Sequence, residues 1–336
     1  MKSFNNIIHI PDTIFKLLYN VKKQKSFIHK TLEIDIKNAD NFNDNSIDET
    51  DIKKITAYYG LGIPAIMGTS FGILRASSMS FRERTAITYL GAMTGLGDDF
   101  FDVNELKENE LKYLLHALLN DPFNVKVNSK SENLFLRFYI KVLENTTQHK
   151  QIKHFISQLF DAQYLSLKQM SPDITYEEIK KITLQKGGVS LLLCRSVFNH
   201  PLSEEEEKML FALGGLMQLG NDIFDVYKDN LKGIKTLANT ETHIENLRRT
   251  FDNQMNETFT HALKTNYRLT SIKSFLRFIS MFICRTYVCL DMFEQLQKKT
   301  NNTFTPSAYT RKDLICDMEK PANLLKSIMY YCKYNI

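Results

Sequence analysis

Tryptophan is absent from the 336 residues, proline occurs seven times, and no segment alternates Val, Ile and Thr between hairpin turns. The missing alternation excludes a sandwich or barrel of strands. The prolines (Pro11, Pro64, Pro122, Pro172, Pro201, Pro306 and Pro321) stand mostly where helices should begin or end, so long helices can run between them. Five cysteines (Cys194, Cys284, Cys289, Cys316, Cys332) are odd in number and lack CxxC spacing. That reads as small core residues in a reducing compartment. The formal charge is only +5 and its basic residues are scattered, which speaks against a nucleic-acid surface. Pro11, Asp12 and Lys16 interrupt any signal-peptide core. No apolar run reaches about 18 residues, because Arg285 and Asp291 break the best one, Phe278 to Phe293. The expectation is a soluble, cytoplasmic protein without stable membrane insertion.

What is present is helical. With 43% hydrophobic and 24% charged residues the chain can build a sizeable core. Residues 1–50 read as an N-terminal extension, partly flexible, with a basic stretch from Lys22 to Lys30 and a polar one from Asn38 to Asp51. From residue 51 to 336 apolar residues recur at three and four spacing, which predicts an all-α domain. Gly60, Gly62 and Pro64 are expected to break its first long helix. Ser80 with Glu83, and Thr175 with Glu178, form the pattern of capping boxes. The Gly187-Gly188 pair is expected to interrupt a helix and open its backbone. Another long helix should span Lys208 to Asp229, with Gly233 ending the segment.

Two stretches are costly on their own. Gly97-Asp98-Asp99-Phe100-Phe101-Asp102-Val103 ends an apolar run that begins near Ala86. On a helix Asp98 and Asp102 share one face at i, i+4, where like charges repel by about 0.2–0.5 kcal/mol. Far downstream, Asn221, Asp225 and Asp229 repeat that spacing after the apolar run from Met209 to Leu219. Two such faces make sense together if they meet across divalent cations. Aspartate and asparagine oxygens are hard ligands suited to Mg²⁺, which commonly shares its sphere with substrate phosphates. Lys228, with Lys232 or Lys235, could neutralise the remaining charge of a polyphosphate. The eight histidines show no metal spacing, and 23 Phe and 15 Tyr supply ring faces that can stabilise a carbocation.

Asp98, Asp99 and Asp102 resemble the DDxxD motif of the class I isoprenoid synthase superfamily. Asn221 to Asp229, followed by Gly233, is similar to the NDxxSxxKE pattern of bacterial terpene cyclases, with Asp225 for Ser/Thr and Asp229 for Glu. Gln218, Asn221, Asp225 and Asp229 also resemble the QxxNxxxDxxxD of squalene and phytoene synthases, although Phe224 and Gly95 stand where those enzymes carry arginine. No arginine pair follows the first motif, as it does in chain-elongating enzymes. The resemblance implies a single helical bundle of the isoprenoid synthase fold around a central apolar cavity. It implies three Mg²⁺ ions held by Asp98, Asp99, Asp102, Asn221, Asp225 and Asp229. It also implies diphosphate contacts from Lys180 and Lys186 beside the glycine pair, from Lys228 and Lys232, and from Arg285 and Arg311. The two arginines are imperfect counterparts of the family's late Arg-Tyr pair. Phe71, Phe100, Phe224 and Gln218 are candidates for the cavity wall, and Phe100 and Phe224 equally for packing behind the motifs.

The function so implied is a Mg²⁺-dependent terpene synthase that ionises a linear C15 or C20 prenyl diphosphate and releases diphosphate with a cyclic or linear terpene. One alternative is a prenyltransferase of the same superfamily, head-to-head or chain-elongating. Another is a non-catalytic helical protein that binds prenyl diphosphate. Product, stereochemistry and a homodimeric state stay open at this point.

Overall fold

The computed structural model describes residues 6–38, 44–102 and 107–333, and for Asp102 the backbone. The fold is all-α, with no strand among the described residues. Its principal helices are α1 (Ile10–Lys30), α2 (Leu32–Lys37), α3 (Glu49–Leu74), α4 (Phe81–Asp102), α5 (Glu108–Asn120), α6 (Lys130–Glu144) and α7 (His149–Ser166). They continue as α8 (Tyr176–Ser196), α9 (Glu204–Phe224), α10 (Val226–Lys232), α11 (Ile244–Lys264), α12 (Leu269–Ile283), α13 (Arg285–Lys299) and α14 (Pro321–Lys333). Two compact units result: one from Asp12–Phe160 with Leu193–Pro201, the other within the spans Met1–Pro11, Asp161–Leu192 and Leu202–Ile336.

Local chemistry sets the helix ends. Ser80 Oγ accepts the Glu83 N–H at 3.2 Å while the Glu83 carboxylate accepts the Ser80 N–H at 2.8 Å, so both orphan donors are satisfied. Thr175 and Glu178 do the same at 3.3 and 2.9 Å. Ser203 caps α9 by accepting the Glu206 N–H at 3.3 Å, and four glutamates fill the first turn of that helix, at the positive end of its dipole. Gly233 ends α10 in the left-handed region, at φ +69°, where a Cβ would be strained.

In the first unit, α3 does not break at Gly60, Gly62 and Pro64. It runs on through two π-helical stretches, Lys54–Tyr59 and Ile63–Gly68. A wider turn accommodates the missing N–H and bulky ring of Pro64, which an α-turn would not. It also frees carbonyls sideways: buried Gln24 of α1 donates to Gly60 O at 2.9 Å and to the Thr88 hydroxyl at 2.8 Å. A Cβ on Gly91 of α4 would lie 2.8 Å from Tyr59 O, so glycine lets α3 and α4 approach closely. Among the described residues α3 is the one helix long and apolar enough to cross a membrane by length and composition, and half of its most apolar window is buried inside the protein. Phe278 to Phe293, by contrast, falls across the end of α12 and the start of α13.

In the second unit, α8 passes through Gly187-Gly188 without interruption. A Cβ on Gly187 would lie 2.2 Å from Gly214 O, one on Gly214 would lie 2.2 Å from Gly187 O, and one on Gly188 would strike the Phe211 ring at 2.5 Å. The glycines therefore serve close contact between α8 and α9 and do not open the helix. On the far side, Gln254 of α11 donates to Ala212 O of α9 at 3.1 Å. Arg248 then ties α11 to α13 through Glu294 at 2.7 Å and Asp291 at 2.8 Å, and Tyr330 of α14 donates to the same Asp291 at 2.6 Å.

Candidate metal and diphosphate residues

In the first unit, Asp98 and Asp99 sit half-buried near the end of α4, and each is already engaged. The Tyr59 hydroxyl donates to Asp98 at 2.6 Å, and the Lys54 ammonium donates to Asp99 at 2.5 Å. Lys54 also stands 5.8 Å from the centroid of the Tyr59 ring. Lys54 and Tyr59 are five residues apart. On an α-helix five residues turn through about 140°, whereas a π-turn, closed from i to i+5, sets them one above the other. The irregular turn thus delivers a cation and a hydroxyl to neighbouring carboxylates. The side chain of Asp102 lies outside the described residues. Phe100 is buried edge-on against Phe135, with ring centroids 5.2 Å apart. Phe71 is buried edge-on against Phe198 at 5.2 Å.

In the second unit, the helix pauses at Asp225, where α9 ends and α10 begins, yet the backbone bonds bridge the joint. Asp225 N–H donates to Asn221 O at 2.8 Å and Asp229 N–H to Asp225 O at 2.9 Å. The i, i+4 column of Asn221, Asp225 and Asp229 is therefore kept. Asn221 and Asp225 are exposed, Asp229 is half-buried, and Asp222 faces inward. The Asp222 carboxylate accepts the Thr183 hydroxyl of α8 at 3.0 Å and the Gln218 amide at 2.8 Å.

Burial pushes the Asp222 carboxyl up to about 6 against the pull of those two hydrogen bonds and of Lys186. Asp229 is pushed up to about 7, first by burial and then by the charges of Asp222 and Asp225, with Lys228 and Lys186 opposing. The negative charges of Asp222 and Asp225 thus act on Asp229, and Lys228 and Lys186 oppose them only in part.

The predicted diphosphate residues divide. Lys186 acts electrostatically on both Asp222 and Asp229. Lys180 lies six residues earlier on α8, about 120° around the helix from Lys186. Lys228 stands 3.8 Å from Asp225 with both side chains about half exposed. Lys232 is exposed at the end of α10, and Lys235 is turned to Pro172 O at 2.6 Å. The Arg285 guanidinium lies 5.9 Å from the centre of the Phe224 ring, which brings it to the end of α9. Arg311 is exposed at the start of the short helix Arg311–Leu314. Among the described residues, no three Asp, Glu, His or Cys side chains converge as a ready-made metal site.

Sequence reasoning missed Lys54, Tyr59 and Thr183. For Thr183 a signal existed, since it lies four residues before Gly187 and so on the face that meets α9. For Lys54 and Tyr59 none did, because an α-period separates them.

No family model matches the chain, and no curated protein matches it. Two solved structures are similar to it. A dehydrosqualene synthase crystallised with a ligand shares 14% identity over 96% of this chain and 100% of its own, at a TM-score of 0.48. A geranyltransferase from Legionella pneumophila shares 16% identity over 86% of this chain and 99% of its own, at 0.47.

Proposed function

We propose that the chain is a Mg²⁺-dependent enzyme of prenyl diphosphates, and specifically a terpene synthase of the class I isoprenoid superfamily. The observation that supports it is the carboxylate column of the second unit. Asp229, raised to about 7 by burial and by Asp222 and Asp225, is a carboxyl whose ionised form its surroundings disfavour. A divalent cation would relieve that repulsion, and the donors present, Asn221, Asp225 and Asp229, are the hard oxygen ligands Mg²⁺ takes. Asp98, Asp99 and Asp102 are proposed as ligands from the first motif.

When bound, Mg²⁺ would stabilise charge on the departing diphosphate. The chain's own residues do the rest of the positioning. Lys186, Lys228 and Arg285, near the carboxylates and the Phe224 ring, give the diphosphate cationic partners. Thr183 and Gln218 fix Asp222, and with it the turn of α9 from which Asn221 and Asp225 project. Phenylalanine and tyrosine faces can stabilise the allylic cation left after ionisation.

The test is incubation with geranyl, farnesyl and geranylgeranyl diphosphates, each with Mg²⁺. Release of a terpene hydrocarbon or alcohol with diphosphate supports the terpene synthase reading. A longer prenyl product, with or without isopentenyl diphosphate, supports the prenyltransferase alternative. Inertness of folded protein toward all three overturns the proposal and leaves a non-catalytic binder.

A further inference from the structure

Helix α1 carries an outer face that the rest of the protein leaves open. Thr13, Gln24 and Ile28 are buried, and with half-buried Leu17 and Val21 they occupy one arc of about 100° that packs inward. The exposed arc that starts beside Val21 and runs about 180° around the helix holds Ile14, Phe15, Leu18 and Tyr19 in its first half, with Phe15 69% and Leu18 62% exposed. The Phe15 and Tyr19 rings stack one helical turn apart, with centroids at 6.4 Å. The second half of the same arc holds Lys22, Lys23, Lys25 and Lys30, all exposed, and none forms an ion pair among the described residues. Beside them Phe81, 70% exposed, stands edge-on to Phe27 of α1 at 5.6 Å. Lys16 is the exception, since it pairs with Asp12 at 2.7 Å.

We propose that this face of α1 docks on an anionic lipid bilayer. Charge and shape single out that partner. A bilayer presents phosphates at one level and acyl chains just beneath, so one flat contact takes up lysines and apolar rings together. A nucleic acid would match the lysines and leave Ile14, Phe15 and Leu18 without a partner. A second copy of the chain would set the lysine half against itself, or strand lysines over the apolar half. Juxtamembrane lysines each add attraction to an anionic surface, and a single interfacial helix gives reversible binding. The inference stands apart from the proposed enzymatic reading and does not need it.

The test is flotation of the full chain with vesicles of phosphatidylcholine alone or with about a quarter phosphatidylglycerol. Binding should appear with phosphatidylglycerol and fall at least tenfold without it. It should also fall when salt rises from about 0.1 M to about 0.5 M. Replacing Phe15 and Leu18 together by Glu should abolish it, and replacing Lys22, Lys23 and Lys25 by Glu should do the same, with unchanged far-ultraviolet circular dichroism. Because the chain has no tryptophan, Phe15→Trp supplies a single emission centre, which should shift to the blue with anionic vesicles only. Equal behaviour with and without phosphatidylglycerol, an emission that vesicles do not move, or full binding by the double Glu variant overturns the proposal. So does a dimer in size-exclusion chromatography that the double variant breaks while no vesicle is bound, since that would assign the face to a second copy.

Discussion

Gly187 and Gly214 bring α8 and α9 so close that a Cβ on either would lie 2.2 Å from the carbonyl oxygen of the other. The contact sits one turn from Thr183 and two turns from Asp222, so the same approach that excludes side chains allows the hydroxyl to reach the carboxylate. Gly214→Ala should force the helices apart and destabilise the protein by about 1–3 kcal/mol. The measurement is urea unfolding, read as a lower midpoint at unchanged slope. A variant as stable as the parent would mean that the helices can separate freely there.

Asp229 gives a pH signature with a definite sign. Its carboxyl is raised from 3.8 to about 7 in the folded protein. Between those values the folded state holds a proton that the unfolded state has released, so stability falls as pH rises through this window. Asp229→Asn removes that slope. At pH 8 in chelator the variant should be the more stable, by on the order of 1–2 kcal/mol once solvent screening of a half-buried group is allowed for. At pH 4 the two should coincide. Thermal melts across that range check it, and parallel curves for the two proteins would count against a raised Asp229.

How much of this could be read from the residues depends on whether the governing pattern is local. The capping boxes at Ser80 and Thr175 were legible because the hydrogen bonds close within three residues. The i, i+4 column of Asn221, Asp225 and Asp229 was legible for the same reason, and it survives a joint in the helix that the sequence does not announce. Gly60, Gly62 and Pro64 were read as a break because propensity favours one; contacts from Gln24 and Gly91 carry the helix through instead. Gly187-Gly188 looked like an opening in a helix, but its partners are the remote Gly214 and Phe211, and no local rule links them. Lys54 and Tyr59 stayed hidden because their shared face exists only in a π-turn.

Glu83 closes the capping box of α4 and also pairs with Arg75, whose two terminal nitrogens donate to its oxygens at 2.5 and 2.7 Å. Burial raises the Glu83 carboxyl, yet the hydrogen bonds from Arg75 and Ser80 and the charge of Arg75 hold it below 4.5 overall. A depressed folded value means stability present above pH 4.5 and lost as pH falls through the folded value. Glu83→Gln leaves the Arg75 guanidinium buried without its anion and should cost about 3–5 kcal/mol at neutral pH. It should also flatten the acid limb of the stability curve. Denaturant unfolding at pH 7 and at pH 3 separates the two effects, and a loss of equal size at both would exclude the ionised pair as its source.

Lys54 holds Asp99 at 2.5 Å with about three-quarters of each side chain covered. If the first motif takes Mg²⁺, the ammonium and the metal compete for the same carboxylate. Lys54→Met should then have two separable effects. Without metal, the variant loses the ion pair and should be less stable by about 1 kcal/mol, as for a partly exposed pair. With Mg²⁺, the cation no longer has to displace an ammonium. The stabilisation that it brings grows with the ratio of free metal to Kd, so the rise in Tm on adding Mg²⁺ should be larger in the variant than in the parent. Melting curves in chelator and in a Mg²⁺ series give both numbers from one sample. If the variant loses stability but shows the parent's Mg²⁺ shift, Lys54 serves the packing of α3 on α4 alone. A smaller shift would mean that the lysine helps to shape the metal site and does not compete with it.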